Sequence, residues 1–259
     1  MGKTLTGHSL NSGLLVAIYP DPSEPDLGLG DLATSDGAQN ATLVGSASVA
    51  SSATMFGKIT LPGTDTNYAW LQSPLTNPQP FTINVWVTIP DPTTLGTRRP
   101  MIWGINQSDD STNQRIAAFL NEDTNSGRLS FRFMDGTNAG GKAGVQSNVI
   151  SGGTHMLTCV WNGVSGPPDI YVDGVLNEWS QYGGTPSSNW GGKMVAGADI
   201  IGTQLEPLAY DLHALRIYDR TLSAAEVADL YTAGLSGDSA LVTSGTTITF
   251  KGLIYERGY

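Results

Sequence analysis

The sequence predicts an all-β fold: two antiparallel sheets packed as a sandwich, with one short C-terminal helix. Three observations predict it. Apolar runs that alternate with a period of two recur along the chain. Turn residues separate them: Gly 32 and Pro 14 in 259 residues, with only 14% charged. A single stretch near the end carries a complete set of helix signals. With 39% apolar residues the chain can bury a substantial core.

The strands can be taken in order. Leu14 to Tyr19 is the first, followed by a Pro/Asp/Gly loop from Asp21 to Gly37. The run FTINVWVTI, Phe81 to Ile89, alternates most clearly and places Phe81, Ile83, Val85, Val87 and Ile89 on one face. Leu129 to Phe133 alternates in the same way. Met156 to Trp161 and Ile170 to Val172 follow, the latter ending in Asp173-Gly174. An Asp-Gly pair between apolar residues signals a hairpin, because both turn positions need positive φ. Many short strands at this spacing argue for a sandwich.

The helix follows the strand Leu212 to Tyr218. Ser223 is placed to cap it, and Glu226 three residues on completes a capping box. Leu222 before the cap and Val227 after it form a hydrophobic staple. Val227, Leu230 and Tyr231 share a face, and Gly234 suits a left-handed C-terminal position. About ten residues of helix are marginal alone in water, so this one must dock on the sheets.

The run LRIYDRTLSAAEVADLYTAG resembles the closing segment of laminin-G-like and pentraxin-like domains of the concanavalin A type. FTINVWVTI, GGTHMLTCVWNG with DIYVDGVL, MVAGADIIGTQ and SDGAQNATLVG resemble other segments of that family, in the family's order. The resemblance covers roughly residues 13 to 235 and implies a concanavalin A-like jelly-roll sandwich with the helix near its edge. Residues 1–12 are then an N-terminal segment and 236–259 a tail. Family members often carry acidic residues before the Arg-Ile-Tyr strand, where this chain has His213-Ala214. His213 is read as sharing a face with Leu215 and Ile217, hydrogen-bonded and partly buried.

Charge and cysteine content narrow the function classes. Against 23 carboxylates stand 13 Lys and Arg, a formal charge of −10, with no basic cluster beyond Arg98-Arg99. That balance argues against nucleic acid as a partner. The one cysteine, Cys159, cannot form an intrachain disulfide and lies in an apolar strand run, which reads as a buried thiol. The N-terminus lacks the apolar core of a signal peptide, and no stretch of about 18 apolar residues occurs. The expected site of synthesis is a reducing cytoplasm.

The sequence offers little chemistry. Glucanases built on such a sandwich use paired carboxylates on one strand, and no strand here holds such a pair. His8, His155 and His213 are scattered without metal-ligand spacing. The stretch from Gly136 to Ala143 approaches a phosphate-binding loop, yet ends in Ala where Ser or Thr is needed. It reads as a Gly-rich hairpin loop, and the chain is expected not to be an enzyme.

Two sets of binding residues are expected. Pentraxin-like relatives bind calcium through loop oxygens, and Asp65, Asn67, Gln204 and Glu206 occupy corresponding loops; solvated polar turns are the alternative. Trp179, Tyr182 and Trp190 punctuate a polar Gly/Ser loop, where aromatic faces can stack on sugar rings, pin the loop, or pack against a neighbouring subunit.

The opening His8-Ser9-Leu10-Asn11-Ser12-Gly13-Leu14 resembles the start of laminin-G-like proteins of tailed bacteriophages. The expected function is a non-catalytic virion surface protein, a decoration, fibre or tail-associated module. It would be made in the host cytoplasm and bind other virion proteins or its own subunits, and glycans. The alternatives are a calcium-dependent carbohydrate-binding lectin and, third, a glycoside hydrolase or lyase. In the tail, Thr246 to Phe250 alternates, so it would complete the domain's own sheet or add to an edge on another subunit.

Overall fold

The computed structural model describes residues 10, 12–18, 20, 41–50, 57–64, 67–75, 78–95, 100–106, 114–120, 127–133, 143–163, 166–178, 180–182, 190, 192–197 and 207–235. Within them the chain forms β1 (Leu14–Ile18), β2 (Thr42–Val44), β3 (Ser48–Ala50), β4 (Lys58–Pro62), β5 (Tyr68–Gln72) and β6 (Phe81–Ile89). Then follow β7 (Met101–Asn106), β8 (Gln114–Leu120), β9 (Arg128–Phe133), β10 (Ala143–Val149), β11 (Gly153–Trp161) and β12 (Asp169–Val172). Last come β13 (Val175–Leu176), β14 (Ser180–Tyr182), β15 (Lys193–Ala196), β16 (Ala209–Tyr218) and the helix α1 (Ala224–Leu235).

Two antiparallel sheets of eight strands build the expected sandwich. Sheet A runs β13-β12-β11-β6-β16-β4-β3, and β1 pairs with the C-terminal half of β16. Sheet B runs β14-β10-β9-β8-β7-β15-β5-β2. Phe81, Ile83, Val85, Val87 and Ile89 of β6 all enter the core between the sheets, as their alternation requires. They meet Ile116, Ala118 and Leu120 of β8 and Leu129, Phe131 and Phe133 of β9. The β12–β13 turn has φ of 52° at Asp173 and 80° at Gly174, the two positive values that Asp-Gly supplies.

Sheet A carries a third layer. Trp86, Met156, Val160, Ala214 and Tyr218 face away from the sandwich core and form a second cluster with Leu222, Val227 and Leu230. Helix α1 thus docks on the outer face of sheet A. Its capping box is complete: Ser223 N donates to Glu226 Oε2 at 2.8 Å, and Glu226 N donates to Ser223 Oγ at 3.3 Å. Leu222 and Val227 are both buried, as a staple demands. Between these apolar rows Arg216 Nη1 donates to Asn84 Oδ1 at 2.8 Å, and Asn84 Nδ2 donates to Thr158 Oγ1 at 2.7 Å. This pairing lets three polar side chains lie buried on that face.

Two local expectations are corrected. Gly234 lies inside α1 without a left-handed φ. Its reason is close approach: a Cβ there would lie 2.4 Å from Trp86 Cζ2. His213 does not share the inward face of Leu215 and Ile217. The register slips between Leu212 and Ala214, and this bulge turns His213 toward Thr88. It is buried and hydrogen-bonded as expected, with Nε2 2.7 Å from Thr88 Oγ1 and Nδ1 3.4 Å from the Gly57 carbonyl. Burial pulls its pKa below the ordinary histidine value.

Candidate saccharide-binding face

The outer face of sheet B is legible from strand pairing. Tyr182 pairs with Gly144, Gly144 with Arg132, Arg132 with Ala117, and Ala117 with Gly104. Gly104 pairs with Val195, Val195 with Trp70, and Trp70 with Thr42. Directly opposed residues share a face, so this row crosses all eight strands. Arg132, Ala117, Gly104, Val195, Trp70 and Thr42 stay out of the core between the sheets, which takes their neighbours Ala69, Leu71, Met194, Ala118 and Phe131 instead.

The face has two halves. Toward β8, β9 and β10 it is sheltered: Met101, Ala117, Phe119, Ser130, Arg132 and Gln146 are all buried. There the Arg132 guanidinium lies 5.2 Å over the Phe119 ring. Val195 of β15 is also buried, and the face opens beyond it, toward β5 and β2. Tyr68, Trp70 and Lys193 are half-buried, while Gln72 and Thr42 are exposed. Lys193 Nζ lies 4.3 Å over the Trp70 ring, and Gln72 Nε2 donates to the Gly192 carbonyl at 3.4 Å.

Local sequence explains the open half. In Tyr-Ala-Trp-Leu-Gln of β5 the small and aliphatic residues point inward, so both aromatics and the amide point outward. Two aromatics on the outward side of a strand reverse the usual pattern of a half-buried strand. That reversal is the sequence signal for Tyr68 and Trp70, and only the inward Ala69 and Leu71 make it readable. Lys193 joins them because β15 pairs with β5 through Lys193 and Gln72.

Trp190 is fully buried: its ring stacks on Phe133 at 5.9 Å and meets Phe81 edge-on at 5.7 Å and Trp161 at 5.6 Å. It has no face to offer a sugar, so its expected ligand role is corrected to core packing. Tyr182 lies on β14, whose backbone pairs it with Gly144. Trp179 lies outside the described residues, as do Asp65, Gln204 and Glu206. Asn67 is nearly buried; its Nδ2 donates to Thr64 Oγ1, and its Oδ1 accepts from Ser46 N. Asn67 thus braces two turns. Among the described residues no group of three or more His, Cys, Asp or Glu is placed to hold a metal ion.

Other reactive groups are accounted for structurally. Cys159 is buried in the core, and burial pushes its thiol pKa well up. His155 Nδ1 lies 2.8 Å from Asp173 Oδ2 and Nε2 3.0 Å from the Ser151 carbonyl. Asp211 is held by Lys58 Nζ at 2.8 Å and Thr60 Oγ1 at 2.9 Å. The phosphate-loop lookalike lies outside the described residues except Ala143. No helix among the described residues is long and apolar enough to cross a membrane.

A family model described as the concanavalin A-like lectin/glucanases superfamily (Laminin_G_3) matches residues 62–228. No curated protein matches the sequence. Solved structures share the fold. The binding domain of Paraclostridial mosquitocidal protein 1 aligns with a TM-score of 0.64 at 15% identity, over 87% of this chain and 53% of that one. The botulinum neurotoxin serotype D ligand binding domain, in complex with N-acetylneuraminic acid, aligns at 0.62 and 11%, over 87% and 52%. The botulinum neurotoxin type G receptor binding domain aligns at 0.60 and 14%, over 85% and 51%. This chain spans about half the length of each of these structures.

Proposed function

We propose that this chain, which belongs to the concanavalin A-like lectin/glucanases superfamily, is a non-catalytic module that binds saccharides on the open half of the outer face of sheet B. One observation carries the reading: Tyr68 and Trp70 stand outward on β5, beside Gln72 and Lys193. Flat aromatic faces stack on the apolar faces of sugar rings, and adjacent amide and ammonium groups fix the hydroxyls. Because these groups sit on paired strands, their spacing is rigid. The binding domains that share the fold support this reading, among them one in complex with a sialic acid.

The test is a glycan array with the intact chain and its Trp70→Ala variant. Binding to a defined set of glycans that disappears with Trp70 supports the reading; a blank array for both proteins rejects it. Running the array with and without a chelator tests the calcium expected at Asp65, Asn67, Gln204 and Glu206. Reducing-sugar release from the bound glycans would overturn the non-catalytic part.

The setting we propose is a virion surface, on which the module joins other virion proteins or copies of itself. The opening from His8 to Leu14 supports it through its resemblance to laminin-G-like phage proteins. Neighbouring genes that encode capsid or tail proteins are the expected result, and a genomic context without them counts against it.

A further inference from the structure

One edge of the sandwich stands open among the described residues. Three large aliphatic side chains are exposed there: Val175 and Leu176 of β13, at 67% and 52%, and Val149 at the end of β10, at 54%. They are the large hydrophobics that the described residues expose. The hydrogen bonds of Asn148 bring them to the same edge. Asn148 N donates to Asn177 Oδ1 at 2.9 Å and Asn148 Nδ2 to the Glu178 carbonyl at 3.4 Å, so the end of β10 is held against the residues that follow β13.

Both apolar layers of the protein run out at β13. Val175 lies opposite Val172, a residue of the core between the sheets, and Leu176 lies opposite Tyr171, a residue of the layer under α1. Among the described strands β13 is the last of sheet A at this end. Its backbone bonds point only one way. Asn177 N donates to the Ile170 carbonyl at 2.9 Å, and bonded positions alternate along an edge strand, so Leu176 turns its N–H and C=O away from β12. Such an edge, with exposed aliphatics on it, is a template for one more strand.

The chain leaves the fold beside this edge. A Cβ on Gly174, in the β12–β13 turn, would lie 2.9 Å from Tyr231 Cβ and 3.4 Å from Ala228 Cα, so the later turns of α1 rest on that turn. The helix ends at Leu235, about one turn past Tyr231. Residues 236–259 lie outside the described residues. Their sequence holds the alternating run Thr246-Thr247-Ile248-Thr249-Phe250, apolar at 248 and 250 with hydroxyls between. The stretch 236–245 reaches up to about 33 Å when extended, enough to bring that run to β13. A segment tethered so near meets the edge at a high effective concentration, ahead of any separate chain.

We infer that β13 is the docking edge for this chain's own C-terminal segment. Residues 246–250 add a strand to sheet A beside β13, with Ile248 and Phe250 turned toward Val175 and with Thr247 and Thr249 toward solvent. The added strand closes the end of the sandwich and takes up the outward backbone groups of Leu176. This is independent of the saccharide reading, whose face lies on sheet B.

The experiment is amide hydrogen exchange of the full chain by NMR, read at Leu176. Ile248→Asp is the variant, and Ile248→Thr is a milder one that keeps the strand preference. Melting curves confirm that each is folded, and sedimentation gives the oligomeric state at the same concentration. The expected result is a monomer whose Leu176 amide exchanges at least about tenfold more slowly in the wild type than in Ile248→Asp. Ile248→Thr should fall between them, and the Tyr231 amide in α1 should exchange alike in all three. Fast exchange at Leu176 in the wild type and both variants overturns the inference. Slow exchange that neither substitution releases puts another segment on β13 and overturns it too. Protection that appears only where a dimer sediments assigns the edge to a second copy and overturns docking within the chain.

Discussion

The Trp86 indole and the Tyr231 ring stack with centroids 5.6 Å apart and planes 5° from parallel. This contact fixes α1 to the outer face of sheet A, and Gly234 lets the helix pass the indole. A Cβ at Gly234 would lie 2.6 Å from Trp86 Cε2 and 2.7 Å from Nε1, atoms of a rigid buried ring. Gly234→Ala therefore destabilises the chain by about 1–3 kcal/mol, although alanine is the better helix former. Urea unfolding measures it; a stabilised variant would show that the helix stands off the sheet.

At the other end of α1, Glu226 accepts from Arg220 Nη2 at 2.7 Å and from Ser223 N at 2.8 Å. The Arg220 hydrogen bond leads in lowering its pKa, to about 2 from 4.5. A depressed carboxylate stabilises the fold above its unfolded value and loses that contribution as pH falls through the folded one. Glu226→Gln should thus cost about 1 kcal/mol at neutral pH. The gap between wild type and variant should close between pH 4.5 and 2, as acid unfolding curves would record.

His155 responds in the opposite direction. Its two ring nitrogens face acceptors only, the Asp173 carboxylate and the Ser151 carbonyl, so both bonds are made only by the imidazolium. The Asp173 hydrogen bond leads in raising its pKa above 6.5, against partial burial. A raised histidine contributes fully below its unfolded value and loses that contribution as pH rises through the folded one. The melting temperature of the wild type should fall relative to His155→Gln as pH climbs above 6.5. Parallel curves would show that the ring is neutral in the fold.

Trp190 is a core residue, and truncating it should unfold rather than disarm. Its ring closes an aromatic cluster with Phe81, Phe133 and Trp161. Trp190→Ala should cost about 3–5 kcal/mol, with normal ligand affinity in whatever fraction stays folded. Denaturation and binding measured on one preparation separate the two effects.

These residues also mark what the sequence could reveal. The faces of β6, the Asp173-Gly174 turn and the capping box of α1 follow from spacing of two, turn chemistry and cap chemistry, which are local. Trp190 reads as a loop aromatic because its neighbours in sequence are Gly, Ser and Asn, while its neighbours in space come from β6, β9 and β11. The bulge at His213 depends on how β16 meets β6, and no pattern within one strand encodes it. The pairing of Trp70 with Lys193 joins residues over a hundred positions apart, so it became visible only when β5 and β15 were seen side by side.

Hydrogen exchange of the intact chain, with and without a glycan that it binds on the array, tests the central claim most directly. New protection should appear in β5 and β15, Tyr68–Gln72 and Lys193–Ala196, and leave α1 and the outer face of sheet A unchanged. Protection confined to α1 or to β6, β11 and β16, with β5 and β15 exchanging as before, would contradict it.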